Sequence, residues 1–95
     1  MEKFIFMGRY SIESLKEMSI ERTEKAINLI NELGGKVENI YALLGNYDLI
    51  IIAQIPDTEK AMKASLGLAI LTGISFSTCP AISVKDFDKI VGEPT

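Results

Sequence analysis

Residues 36–56 read KVENIYALLGNYDLIIIAQIP, two apolar stretches rich in β-branched and aromatic residues on either side of Gly45-Asn46. Such residues favour extended backbone, and glycine supplies the positive φ that a tight primed turn requires. Residues 36–44 and 48–56 are therefore expected to pair as an antiparallel hairpin. The two-residue period of a strand sorts the side chains, and the partition is the same whether Leu44 faces Tyr47 across a two-residue loop or Leu49 across a four-residue loop. One face carries Ile40, Ala42, Leu44, Tyr47, Leu49, Ile51, Ala53 and Ile55 and belongs under helices. The other carries Val37, Asn39, Tyr41, Leu43, Asp48, Ile50, Ile52 and Gln54, which is more apolar surface than a small chain leaves in water.

Upstream of the hairpin, residues 3–10 read as a first strand in which Gly8 marks a bulge or a close approach. Ile12, Leu15 and Met18, three apart, predict a short helical turn before Ser19 offers an N-cap. Over residues 20–33 the apolar positions Ala26, Ile27, Ile30 and Leu33 share one stripe, and Gly34-Gly35 supplies the stop. Downstream, Asp57 is placed to cap a second helix that runs to about Thr72, is apolar nearly all round and ends at Gly73. Residues 75–84 are expected to form a last strand, which Pro80 assigns to a sheet edge or a bulge because it has no N–H to donate. Residues 86–91 add one helical turn, and residues 92–95 are expected to be a mobile tail.

The order βαββαβ over residues 1–95 predicts one α+β domain of ferredoxin-like topology, a four-stranded antiparallel sheet with both helices on one face. The second face is then bare. If roughly 400 Å² of it is covered, the gross gain is on the order of 10 kcal/mol before association costs are subtracted. A second copy of the chain is the simplest cover, so a homodimer with its sheets face to face is expected, Asn39, Tyr41, Asp48 and Gln54 lining whatever space is left. The apolar girth of the second helix leaves room for higher homo-oligomers.

Composition narrows the chemistry. The 95 residues are 47% hydrophobic and 24% charged, ordinary for a folded chain. A net charge of −3 with no basic run argues against a nucleic-acid partner. The absence of histidine excludes a Ser-His-Asp triad and His-based zinc sites, and no metal or cofactor is expected. A single cysteine, Cys79, cannot close an intrachain disulfide, which fits a cytoplasmic protein. Residues 64–84 carry no charge, yet Gly67, Gly73, Pro80 and a series of hydroxyl residues break the run. The four apolar residues from Phe4 to Met7 are too few for a secretory signal, so no membrane association is expected.

Four residues are candidates for contacting a small ligand. Asp48 is a hydrogen-bond acceptor on the bare face, though a carboxylate there also organises a turn through backbone N–H groups. Tyr41 shares that face and equally suits packing across a dimer. Arg9, at the end of the first strand, presents a planar cationic fork for a carboxylate, or snorkels at an edge. Tyr10 alternates with Arg9, and the register decides which of them faces the interior of the assembly. Tyr47 reads as a core residue, Cys79 as a small buried apolar one, and Asp86 and Asp88 as surface charges.

Gly45, Tyr47 and Asp48 in the stretch LLGNYDL, together with Gly8-Arg9-Tyr10, the run ERTEKA at 21–26, LGGKV at 33–37 and FDKI at 87–90, resemble the GYD-domain family, whose name stands for glycine, tyrosine and aspartate. The resemblance spans roughly residues 3–90. It implies a dimeric α/β-barrel, an architecture shared by small cofactor-free monooxygenases, some isomerases and the ligand-sensing domains of amino-acid-responsive regulators, and it implies no established activity. Three functions follow as alternatives: a small-molecule-binding or regulatory homodimer, a small cofactor-independent enzyme using the same cavity, and a purely structural assembly module.

Overall fold

The computed structural model describes residues 1–92. The elements are β1 (Glu2–Arg9), α1 (Ile12–Lys16), α2 (Ile20–Glu32), β2 (Lys36–Ala42), β3 (Leu49–Ile55), α3 (Thr58–Thr72), β4 (Ser75–Ala81) and α4 (Val84–Gly92). The four strands form one antiparallel sheet in the order β2-β3-β1-β4. This is the expected ferredoxin-like arrangement. Pro80 lies on β4, which has a sheet neighbour on one side only, where a residue without an N–H is tolerated. Of the tail expected over residues 92–95, Gly92 is instead the last residue of α4, and residues 93–95 lie outside the described residues.

Each helix starts where a side-chain oxygen takes up a free N–H. Ser11 accepts from Ser14 N–H, Ser19 from Arg22 N–H and Asp57 from Lys60 N–H. α3 ends at Gly73, whose φ of 71° is open to glycine at little cost, and Gly34 at φ 83° follows α2 in the same way. The core is built by Phe4 and Phe6 of β1, Ile51, Ala53 and Ile55 of β3, Ala26 and Ile30 of α2, and Ala61, Ala64 and Leu68 of α3. α2 and α3 cover the same face of the sheet and touch each other, Gly67 leaving space for the Leu29 side chain. Gly8 allows a close approach and is not a bulge. It pairs in register with both Leu49 and Phe76, and a Cβ on it would lie 2.8 Å from Ile74 Cγ2.

The hairpin keeps Ala42 opposite Leu49, the register in which Leu44 faces Tyr47, although regular pairing stops at Ala42 and Leu44 stands wholly exposed. One part of the expected partition fails. A bulge lies between Val37 and Asn39, so Val37 pairs with Ala53 and packs against the core. The extra residue inverts the alternation, and Glu38 joins the bare face in place of Val37, where its carboxylate meets Lys3 Nζ at 3.5 Å.

Candidate functional site

The sheet face without helices is laid out in rows fixed by the strand register. Its middle is apolar: Tyr41, Ile50 and Met7 lie side by side, with Ser77 at the β4 edge, and the next row holds Asn39, Ile52, Ile5 and Cys79. Ile5, Met7, Ile50 and Ile52 are half-buried, and Tyr41 is 52% exposed. One end of this belt carries Lys3, Glu38 and Gln54, with Gln54 Nε2 donating to Glu38 Oε1 at 3.4 Å. The other end carries Arg9 and Asp48. An apolar centre between two polar rims, each with both charge signs, is the anatomy of an interface.

Arg9 rather than Tyr10 lies on this face. Phe4, Phe6 and Gly8 are buried under the helices, so the alternating residues Ile5, Met7 and Arg9 point the other way. The Arg9 guanidinium carbon sits 5.0 Å from the centre of the Tyr47 ring, a cation–π contact. Tyr47, expected in the core, is held at the sheet end by that contact. The sequence gives no sign of it, because the two residues are far apart along the chain and the loop between Ala42 and Leu49 is irregular.

Asp48 ties the hairpin to β1. Its N–H donates to Gly8 O at 2.9 Å, and its Oδ2 accepts from Tyr10 N–H at 2.9 Å. The bond to Tyr10 satisfies the first backbone donor beyond the ladder. The carboxylate does organise backbone, but the backbone is that of a strand end 38 residues away and not its own turn. Among the described residues Arg9 and Asp48 form no ion pair, so the guanidinium can take an acceptor or anionic group and the carboxylate a donor group of one polar ligand.

Tyr10 is separated from the other three candidates. It turns to the helix side and lines a cavity of about 50 Å³ with Met18, Arg22, Ile40 and Phe76, room for a water or two. Arg22 is committed to structure there, donating through Nη1 to Ser14 O at 2.6 Å and to Thr72 O at 3.4 Å. A cation at those carbonyls satisfies acceptors that the ends of α1 and α3 leave open.

Cys79 is half-exposed on the open face and not buried as expected. With Ser75, Ser77 and Ala81 it makes the β4 side of that face a strip of small residues. Alternation from Pro80 would have located this strip, had the strand's register been known. Among the described residues no group of three metal-ligating side chains comes together, and no helix is long and apolar enough to cross a membrane.

These features define a small ferredoxin-like α+β domain in which α2 and α3 cover one sheet face and the other face is an apolar belt with charged ends. The GYD domain family model matches residues 4–91, and the chain belongs to the GYD-domain family. Among solved structures it is similar to the leucine response regulatory protein of Mycobacterium tuberculosis, with a TM-score of 0.57 at 6% identity. It is also similar to an AsnC family transcriptional regulator from Agrobacterium tumefaciens, with a TM-score of 0.56 at 18% identity. Each likeness covers 86% of this chain and 51% of the other, so the chain spans about half the length of either regulator, and what is shared is the fold. No curated protein matches the sequence closely enough to count as a relative.

Proposed function

We propose that this chain is a small-molecule-binding regulatory domain that works as a homodimer, two copies packing their open sheet faces together and holding a ligand between them. The observation that carries this reading is the belt of Ile5, Met7, Tyr41, Ile50 and Ile52 on the one sheet face that no helix covers. The strip of small side chains along β4 leaves volume when two such faces meet, and the Arg9 and Asp48 end supplies a cation and an acceptor for a polar ligand. Tyr41 stands in the row next to that end. A fold shared with part of two regulators fits a sensing role. The net charge of −3 fits a domain that receives a ligand and does not itself hold nucleic acid.

Native mass spectrometry of freshly purified protein tests the proposal in one measurement. The expected spectrum has two chains together with an added mass below about that of a drug-sized ligand. Single chains at micromolar concentration overturn the dimer. A dimer that carries no added mass and takes up none from a panel of amino acids and small carboxylates leaves an assembly module instead.

A further inference from the structure

Away from the open sheet face several apolar surfaces are uncovered among the described residues, Ile12, Leu15 and Ile20 around α1 forming one of them, and two others suit each other. The first is a stripe on α4, where Val84, Phe87, Ile90 and Val91 recur at three- and four-residue steps while Lys85, Asp86, Asp88 and Lys89 take the remaining positions. α4 buries none of its residues, and Val84 is 74% exposed. Nine residues are too few for a helix to persist in water on its own hydrogen bonds, so its stripe needs a surface to dock on.

The second is a groove of about 310 Å³ between α3 and the edge strand β4. Ala61, Phe4 and Pro80 line it, and Ser65 and Thr78 join across it by a 2.9 Å hydrogen bond. Met62 and Leu66 stand over it on α3, and Ile70 extends their row by one turn at 86% exposure.

We propose that α4 is an exchange arm whose apolar stripe docks in the α3–β4 groove of a second copy of this chain. Three observations select a second copy as the occupant. α4 follows β4 after only Ile82 and Ser83, and Ser83 directs it: its hydroxyl accepts from Asp86 N–H and its carbonyl from Phe87 N–H, both at 3.0 Å. Thus directed, the helix leaves its own body bare. The chain is also too open for its mass. Its accessible surface is 6558 Å², against about 5,400 Å² for a self-contained chain of 10.5 kDa, and the surplus of about 1,100 Å² is near one partner's share of a stable interface. Its radius of gyration is 14.6 Å, against about 12.4 Å for a compact chain of this length, and its longest extent is 52 Å.

Charge is the third observation. The arm carries two lysines and two aspartates, and the outer side of α3 carries the Lys63–Glu59 pair. Neither surface selects a strongly acidic or basic partner, and each suits the other. A helix seated in a groove by residues at i, i+3 and i+7 is a recurrent recognition mode, here formed by Val84, Phe87 and Val91. The contact does not require the face-to-face sheets of the proposed dimer, and it can join the same two copies or link one pair to the next.

Engineered cysteines test the contact in the full chain. With Cys79→Ser as background, Met62→Cys and Phe87→Cys are made as separate variants, mixed and mildly oxidised. Disulfide-linked pairs containing one of each are expected, in excess over like pairs. In a separate variant Phe87→Asp should weaken association about tenfold or more by sedimentation while costing far-UV circular dichroism no more than the share of α4 itself, because Phe87 lies outside the core. If Met62→Cys and Phe87→Cys placed in one chain close within that chain in dilute solution, the arm occupies its own groove and the proposal is overturned. It is equally overturned if no mixed disulfide forms and Phe87→Asp leaves association unchanged. Binding to lipid vesicles that Phe87→Asp abolishes, without any change in association, would reassign the stripe to a membrane surface. The sheet-face dimer is scored separately by a substitution at Ile52, so the two readings can fail independently.

Discussion

Asp48 shows how much one carboxylate can contribute through its bonds to backbone alone. It is half-buried, and the amide it accepts from would be stranded at the end of the ladder, so removing it breaks a hydrogen bond to a charged acceptor. Asp48→Ala is expected to lower stability by about 1–2 kcal/mol, and Asp48→Asn, which keeps an acceptor oxygen, by clearly less. Urea unfolding of the three proteins checks the order, and equal midpoints would remove Asp48 from any structural role. Gly8 is a second test at this scale. Its missing Cβ is the space in which Ile74 and Phe76 pack, at 2.8 and 2.9 Å from where that atom would lie. Gly8→Ala therefore forces neighbours aside in a filled core and should cost about 1–3 kcal/mol in the same assay. The sequence marks Gly8 as unusual, but whether it serves a bulge or a close approach depends on strands that pair with it from positions 49 and 76.

Among the elements, α3 depends least on an amphipathic pattern, since apolar residues surround it, and most on its ends. Asp57 accepts from Lys60 N–H at 2.8 Å and Gly73 closes the other end in the left-handed region. Asp57→Ala should destabilise the chain by about 1 kcal/mol, read from the thermal midpoint, with Asp57→Ser recovering most of it. These ends were legible because capping is local chemistry. The hairpin faces were legible for the same kind of reason, as period two survives any even-length loop. The bulge beside Glu38 was not, for nothing in Val37-Glu38-Asn39 differs from an ordinary alternating strand, and only the demands of Lys3 and Ala53 on its two sides decide it. The sequence predicts one turn where α4 has nine residues, since a charged, apolar alternation of that length is equally compatible with a frayed end. Of the site, the open face was readable and its ends were not: Arg9 on Tyr47 and Asp48 on Tyr10 are contacts made where the ladder stops and periodicity no longer speaks.

For the whole molecule, the deciding question is what covers the middle of the sheet. Ile52 lies between Ile5 and Asn39 on the open face, with its side chain directed away from Phe4, Phe6 and the helices, so changing it leaves the core intact. Ile52→Asp puts a carboxylate in the centre of the apolar belt. In a single chain that charge is hydrated and its effect on folding is small. In a dimer with the sheets stacked, it is carried into a space closed to water, where an unpaired charge costs about 3–5 kcal/mol. Association should fall by at least about a hundredfold, which equilibrium sedimentation across a concentration series measures directly. The circular dichroism of Ile52→Asp should match that of the unaltered protein, and Ile52→Val, which keeps the face apolar, should still associate. A full-strength dimer formed by Ile52→Asp would mean that the belt faces water in the assembly, and the ligand cavity together with the roles of Arg9, Tyr41 and Asp48 in lining it would have to be abandoned.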